Sequence, residues 1–261
     1  MRIILHFILI IILTIISQIG GVIYLFSLLI ISSKKSKYRI KRISLFCFLY
    51  LFSTYILVPK TAPIFGREKI NLNKNISAHF ILTNLLNRNY VKPELNNILN
   101  DVSKSLDKDI KVVYLDANFP FCDGFPLLPH LSHNDGKKID ISFIYKNGDD
   151  KLTNLKPSVS GYGVFEEPKI DENNQTKKCK ENGYWQYDYT KYMTFGSINK
   201  EIELSKNATR KLILEILKHE KVSKLFIEPH LKNRLKLNNQ KIRFHGCGAV
   251  RHDDHIHFQI N

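Results

Sequence analysis

Two short stretches of this sequence hold most of the side chains able to do chemistry. RHDDHIHF, residues 251 to 258, carries His252, His255 and His257 with Asp253 and Asp254 between them. PHLSHNDGKKID, residues 129 to 140, carries His130, His133 and Asp140. Five of the chain's ten histidines fall in these windows, a clustering that scattered surface histidines would not produce. A zinc hydrolase needs three ligands of the His or carboxylate type and an open position for water. Alternate side chains of a strand share a face, so His255 and His257 project together, one able to bind a metal while its neighbour stands beside the water. A bend at Asn134–Lys137 brings His133 and Asp140 within reach of one ion. His-x-His alone is more often a pair of solvated imidazoles; the two windows together are a strong signal.

A His-x(6)-Asp motif followed far downstream by His-x-His resembles the signature of zinc peptidases that include lysostaphin, the D-Ala-D-Ala dipeptidases and carboxypeptidases, and hedgehog-like domains. The fuller pattern of His130, His133 and Asp140 with His252, His255 and His257 is most similar to the penicillin-insensitive murein endopeptidases. The dipeptidase branch carries Glu where this chain has His252. The resemblance covers residues 115 to 261. It implies a single Zn2+ held by His133, Asp140 and His257. It also implies His255 as the catalytic histidine with His252 beside it, His130 lining the site, and hydrolysis of peptide cross-links in peptidoglycan.

Several neighbouring residues have two readings. Asp253 and Asp254 either orient the imidazoles or are solvated charges. Glu228 caps a strand or supports the site, and His245 is a buried, hydrogen-bonded histidine or a site neighbour. Trp185, Tyr187 and Tyr189 offer a substrate platform, with Trp185 at the site, or ordinary packing. His79 and His219 read as helix residues.

The elements that must position these groups follow from periodicity. Helices are expected at 76–88, 93–106 and 208–220, the last capped by Asn207, with a short one at 230–237. Strands are expected at 111–117, 138–146, 223–229, 241–246 and 255–260. Residues 147–200 are polar, Tyr-rich and irregular, a long loop of the kind that forms binding surfaces. The expected class is α+β, a small, mainly antiparallel sheet with flanking helices over residues 75–261, joined by a linker at 59–74.

Ahead of the linker lie two apolar runs, 3–31 and 43–58, without Asp, Glu, Lys or Arg. Spanning hydrocarbon takes about 20 such residues, so two transmembrane helices are expected over residues 1–58. The basic loop at 32–42 places itself in the cytoplasm, and the N-terminus and the domain outside, on the periplasmic or extracytoplasmic face of a bacterial plasma membrane. A cleaved signal peptide is the rival, but the first run is too long and lacks an A-x-A-like site.

Seven of the 39 basic residues and none of the 24 acidic ones lie in 1–58, leaving the domain at +8. Those charges are scattered, and no helix-turn-helix, RNP or zinc-finger pattern is present, so no nucleic-acid partner is expected. A magnesium nuclease would also be richer in carboxylates. Cys122, Cys179 and Cys247 lack CxxC spacing, which excludes a thiolate zinc site; in an oxidising compartment two of them can pair. The alternative function is a non-catalytic, zinc-containing module that binds cell wall.

Overall fold

The computed structural model describes residues 2–34 and 36–261; Lys35 of the basic loop lies outside the described residues. In chain order the helices are α1 (Arg2–Ser17), α2 (Gly20–Ile30) and α3 (Tyr38–Phe65, continuous through a widened π turn at Ser53–Leu57 and a tightened 3-10 turn at Ala62–Phe65), then α4 (Ile81–Leu85), α5 (Pro93–Ser105), α6 (Gln175–Glu181), α7 (Lys206–Leu217) and α8 (Pro229–Arg234). The strands are β1 (Glu68–Lys69), β2 (Ile76–Ala78), β3 (Tyr90–Val91), β4 (Val112–Asp116), β5 (Lys138–Ser142), β6 (Tyr145–Lys146), β7 (Leu152–Thr153), β8 (Glu203–Leu204), β9 (Val222–Phe226), β10 (Ile242–Arg243) and β11 (His255–Ile260). The class is α+β, as expected. The chain divides into two compact units: Met1–Ile70, Leu82–Pro93 and Ala117–Gly136 form one, and Asn71–Ile81, Glu94–Asp116 and Lys137–Asn261 the other.

In the first unit the apolar run 3–31 is not one helix. Gln18 takes a left-handed φ of +62°, and the chain turns back on itself. A Cβ on Gly21 would stand 2.0 Å from Thr14 Oγ1 and 2.4 Å from the Ile10 carbonyl oxygen, so glycine is what allows α2 to lie against α1. His6 Nδ1 meets Tyr24 Oη at 2.8 Å, consistent with antiparallel packing. With 16 and 11 residues, α1 and α2 fall short of the length needed to span hydrocarbon. Two membrane helices are therefore not clearly supported: among the described residues one helix, α3, with 28 residues, is long and apolar enough to cross a membrane. The hairpin also leaves the start of α1 and the end of α2 at the same end, where one uninterrupted helix would have separated them.

The same unit carries a small core of Val58, Ala62 and Tyr90, packed by Ile19 and Phe121. The Gln18 carboxamide bonds both backbone groups of Phe121, at 2.9 and 3.0 Å. Just beyond α3, buried Arg67 donates to the carbonyls of Phe119 (2.5 Å), Phe121 (2.9 Å) and Asn134 (3.1 Å) and to Asp123 (2.5 Å). One guanidinium thus fastens both limbs of the 119–134 loop. Gly136, at φ +79°, passes so close that a Cβ there would stand 3.1 Å from Arg67 Nε.

The second unit is built on a six-stranded sheet of order β10-β9-β11-β5-β4-β2. Its four central strands pair antiparallel, and the edge strands β10 and β2 join parallel. The expected antiparallel sheet is thus present with parallel edges. β11, read from HIHFQI, lies between β5 and β9, and buries Ile256, Phe258 and Ile260.

Other boundaries differ locally. Residues 76–88 form β2 and the short α4 rather than one helix, because Ile76–Ala78 find partners in β4; His79 is accordingly outside any helix and bonds the Ser158 carbonyl through Nε2 at 2.9 Å. The N-cap of α7 is Ser205, not Asn207. The 147–200 stretch contains β7, α6 and a 3-10 turn at Trp185–Met193.

Candidate metal centre

Strand register builds the core of the site. His257 lies directly opposite Asp140 across the β11–β5 pair, so the two side chains share a face. Their contact, Nδ1 to Oδ1, is 2.9 Å. His255, two residues earlier on the same face, brings Nε2 to 3.7 Å from the same carboxylate oxygen. The alternation expected of His-x-His is therefore realised, and Asp140 is its common partner. The other Asp140 oxygen accepts from Tyr162 Oη at 2.8 Å.

His255 is oriented from behind. Asp254 Oδ1 meets its Nδ1 at 2.5 Å, while Asp254 Oδ2 accepts from the Gly163 amide at 2.6 Å. A carboxylate can only accept, so Nδ1 carries the proton and Nε2 faces Asp140. Burial pushes the His255 imidazole down, but Asp140 and Asp254 more than offset this and hold its pKa at about 9. His252, beside His255 at a ring separation of 4.9 Å, goes the other way: burial, then the neighbouring imidazoles, drive it well below the ordinary value and keep it neutral. Burial likewise raises Glu228 above the ordinary carboxylate range.

The upstream motif supplies its own geometry within the continuous stretch 130–140. Ligand atoms of His130, His133 and Asp140 all lie within 4.8 Å of one another, so this group could hold a metal ion. His133 is buried, and its Nδ1 bonds the Ala117 carbonyl at 2.8 Å. A carbonyl oxygen likewise only accepts, so the proton sits on Nδ1, the usual support of a metal-binding histidine. A buried carboxylate with two imidazoles is a donor set that could hold a divalent ion.

The remaining sequence expectations sort clearly. Asp253 and Asp254 are both buried, which removes the solvated reading. Asp253 pairs with Arg251, with Nε to Oδ1 at 2.7 Å, while Asp254 backs His255. Glu228 supports the centre indirectly: it accepts from the Tyr187 hydroxyl at 2.7 Å and from the His252 amide at 3.0 Å. Tyr187 is thus a buried structural residue, whereas Trp185 is 78% exposed and no side-chain contact places it at the metal centre. His245 is exposed rather than buried, with its ring 5.2 Å from that of His252 and 6.1 Å from that of His257. His219, expected in a helix, follows the end of α7.

Sequence reasoning missed Asp116 and Tyr162. Asp116 is opposite Asp140 in the β4–β5 pair, and burial, followed by Asp140 and Asp116, pushes the Tyr162 hydroxyl well above its ordinary pKa. The only signal for Asp116 was its place at the end of an expected strand; nothing in SGYG announced Tyr162.

Cys179 and Cys247 form a disulfide, leaving Cys122 as an exposed thiol. The disulfide ties α6 to the loop that presents His245. No protein-family model matches the chain, and no curated protein matches it. The likeness to murein endopeptidases therefore rests on the motif residues themselves.

Proposed function

We propose that this protein is a membrane-anchored metallopeptidase that hydrolyses peptide cross-links of bacterial peptidoglycan, with Zn2+ held by His133, Asp140 and His257. The observation that carries this reading is the shared focus of His255 and His257 on buried Asp140, with His133 backed at Nδ1 by the Ala117 carbonyl and its ligand atom within 4.8 Å of those of His130 and Asp140. His130 stands in the same ligand group and is the alternative third imidazole. Zinc at such a site would act as a Lewis acid and bring the pKa of water from 15.7 to about 7.

The chain's own residues then divide the work. Asp140 offsets the charge of the ion, and Tyr162 holds one of its oxygens. His255, with Nδ1 fixed by Asp254, presents Nε2 to the reacting side. As a neutral base it takes a proton there; once protonated it donates to the oxygen on which negative charge develops and then to the leaving amine. His252, kept neutral, donates or accepts a hydrogen bond without adding a competing charge. The Cys179–Cys247 disulfide supports an oxidising compartment, the side of the membrane where peptidoglycan lies.

The test is digestion of purified peptidoglycan by the detergent-solubilised full chain, with zinc and with a chelator, the products identified by mass. Chelator-sensitive release of cross-link fragments is expected. Zinc-loaded protein that cleaves nothing would leave the non-catalytic, zinc-containing wall-binding module as the better account. Full zinc retention by His257→Ala would move the third ligand to His130.

A further inference from the structure

Away from the metal centre, the α1–α2 hairpin and the start of α3 form a half-open pocket of about 680 Å3. It lies far from the Gln18 turn, at the end where the helices meet the basic loop. Its lining is divided: Leu5, Ile43 and Phe46 supply hydrocarbon, while His6, Tyr24, Arg39 and Arg42 supply polar groups.

The polar part is built rather than incidental. Arg42 donates from Nε to the Ile31 carbonyl at 2.8 Å and from Nη2 to the Leu28 carbonyl at 3.4 Å, which fixes its guanidinium at the C-terminal end of α2. Tyr38 lies under it, 5.2 Å from ring centroid to guanidinium carbon, and Arg39 is held to Tyr38 Oη at 3.3 Å. No acidic residue precedes Glu68 in the sequence, so these helices hold no carboxylate to neutralise either arginine.

We propose that this cavity binds an anionic phospholipid, its phosphate on Arg39 and Arg42 and the start of an acyl chain along Leu5, Ile43 and Phe46. The inference rests on α3 crossing a bilayer. Guanidinium groups match phosphate oxygens in a two-pronged geometry that ammonium groups lack, and basic pockets between membrane helices are where such headgroups bind. The apolar wall is what distinguishes a lipid from a free anion: inorganic phosphate would leave the hydrocarbon side empty.

The experiment reconstitutes the full chain into vesicles of phosphatidylcholine and into vesicles of an equal mixture of phosphatidylcholine and phosphatidylglycerol, then measures retained lipid by native mass spectrometry. Phosphatidylglycerol should be retained in preference to phosphatidylcholine. Arg39→Gln, which breaks no contact between elements, should reduce that retention roughly fivefold, the scale of one basic group at a membrane surface. Leu5→Trp, which fills the cavity without changing charge, should reduce it too.

A diffuse surface potential would instead respond equally to Lys34→Gln, which removes the same charge from the loop. Equal loss in Lys34→Gln and Arg39→Gln therefore overturns the site, as does equal retention of both lipids. Retention displaced by inorganic phosphate and untouched by Leu5→Trp would make it an anion site only. Failure to enter either vesicle would defeat the membrane reading itself, an outcome distinct from entry without lipid preference.

Discussion

Asp140 is reached by two imidazoles and one phenol, and each donor arrives by a different route: strand register for His257, alternation for His255, a loop for Tyr162. His255 is the residue whose removal separates chemistry from metal binding. Its Nε2 faces the carboxylate, but the group that could hold a metal, His130, His133 and Asp140, does not include it. His255→Ala should keep zinc content, measured by atomic emission, and lower peptidoglycan cleavage by roughly 10²–10⁴-fold, the range for general acid–base groups.

The same residue predicts a pH dependence for the metal-free protein. Its folded pKa of about 9 lies above the ordinary 6.5, so the stability it contributes is fully present below 6.5 and lost as pH rises through 9. The shift corresponds to about 3 kcal/mol. Chemical denaturation of chelated protein should show stability falling over that window, and His255→Gln should flatten the fall. An unchanged slope in the variant would mean that His255 is not the group held protonated.

At the scale of elements, β11 under the proposed function would be at once catalytic and structural. His255 and His257 face the site, while Ile256, Phe258 and Ile260 are buried and the strand is paired on both edges. Removing residues 258–261 should therefore abolish zinc retention and expose the sheet, measured by zinc content and proteolysis; wild-type values for both would refute this. The strand and its alternation were legible in HIHFQI because periodicity is local. The role of Asp116 was not, since it depends on which residue of β4 falls opposite Asp140, a matter of register between distant segments. The break in the first apolar run was partly legible. Gly20 and Gly21 marked a place where helices can approach, but composition does not reveal that Gln18 turns the chain. Gly21→Leu should open the hairpin, read as loss of disulfide cross-linking between His6→Cys and Tyr24→Cys.

At the scale of the whole molecule, the N-terminal helices also bear on the candidate metal centre. Residues 117–136, which carry His130 and His133, belong to the same compact unit as α1, α2 and α3. Gln18 holds the backbone of Phe121, Thr54 accepts from the Asn87 carboxamide at 3.3 Å, and Tyr50 donates to the Leu85 carbonyl at 2.9 Å. A linker at 59–74, as the sequence alone implied, would let the domain be cut free without loss. Val58, just before that stretch, completes a buried cluster with Ala62 and Tyr90. A chain of residues 59–261 should keep the β11-centred sheet yet bind zinc about 10–100-fold more weakly, the effect of losing support behind a metal-binding histidine. Competition titration against a chromogenic chelator measures that ratio, and circular dichroism checks that the sheet remains. Equal affinity of the truncated and full-length chains would show that Arg67 and the loop's own bonds hold His133 in place unaided.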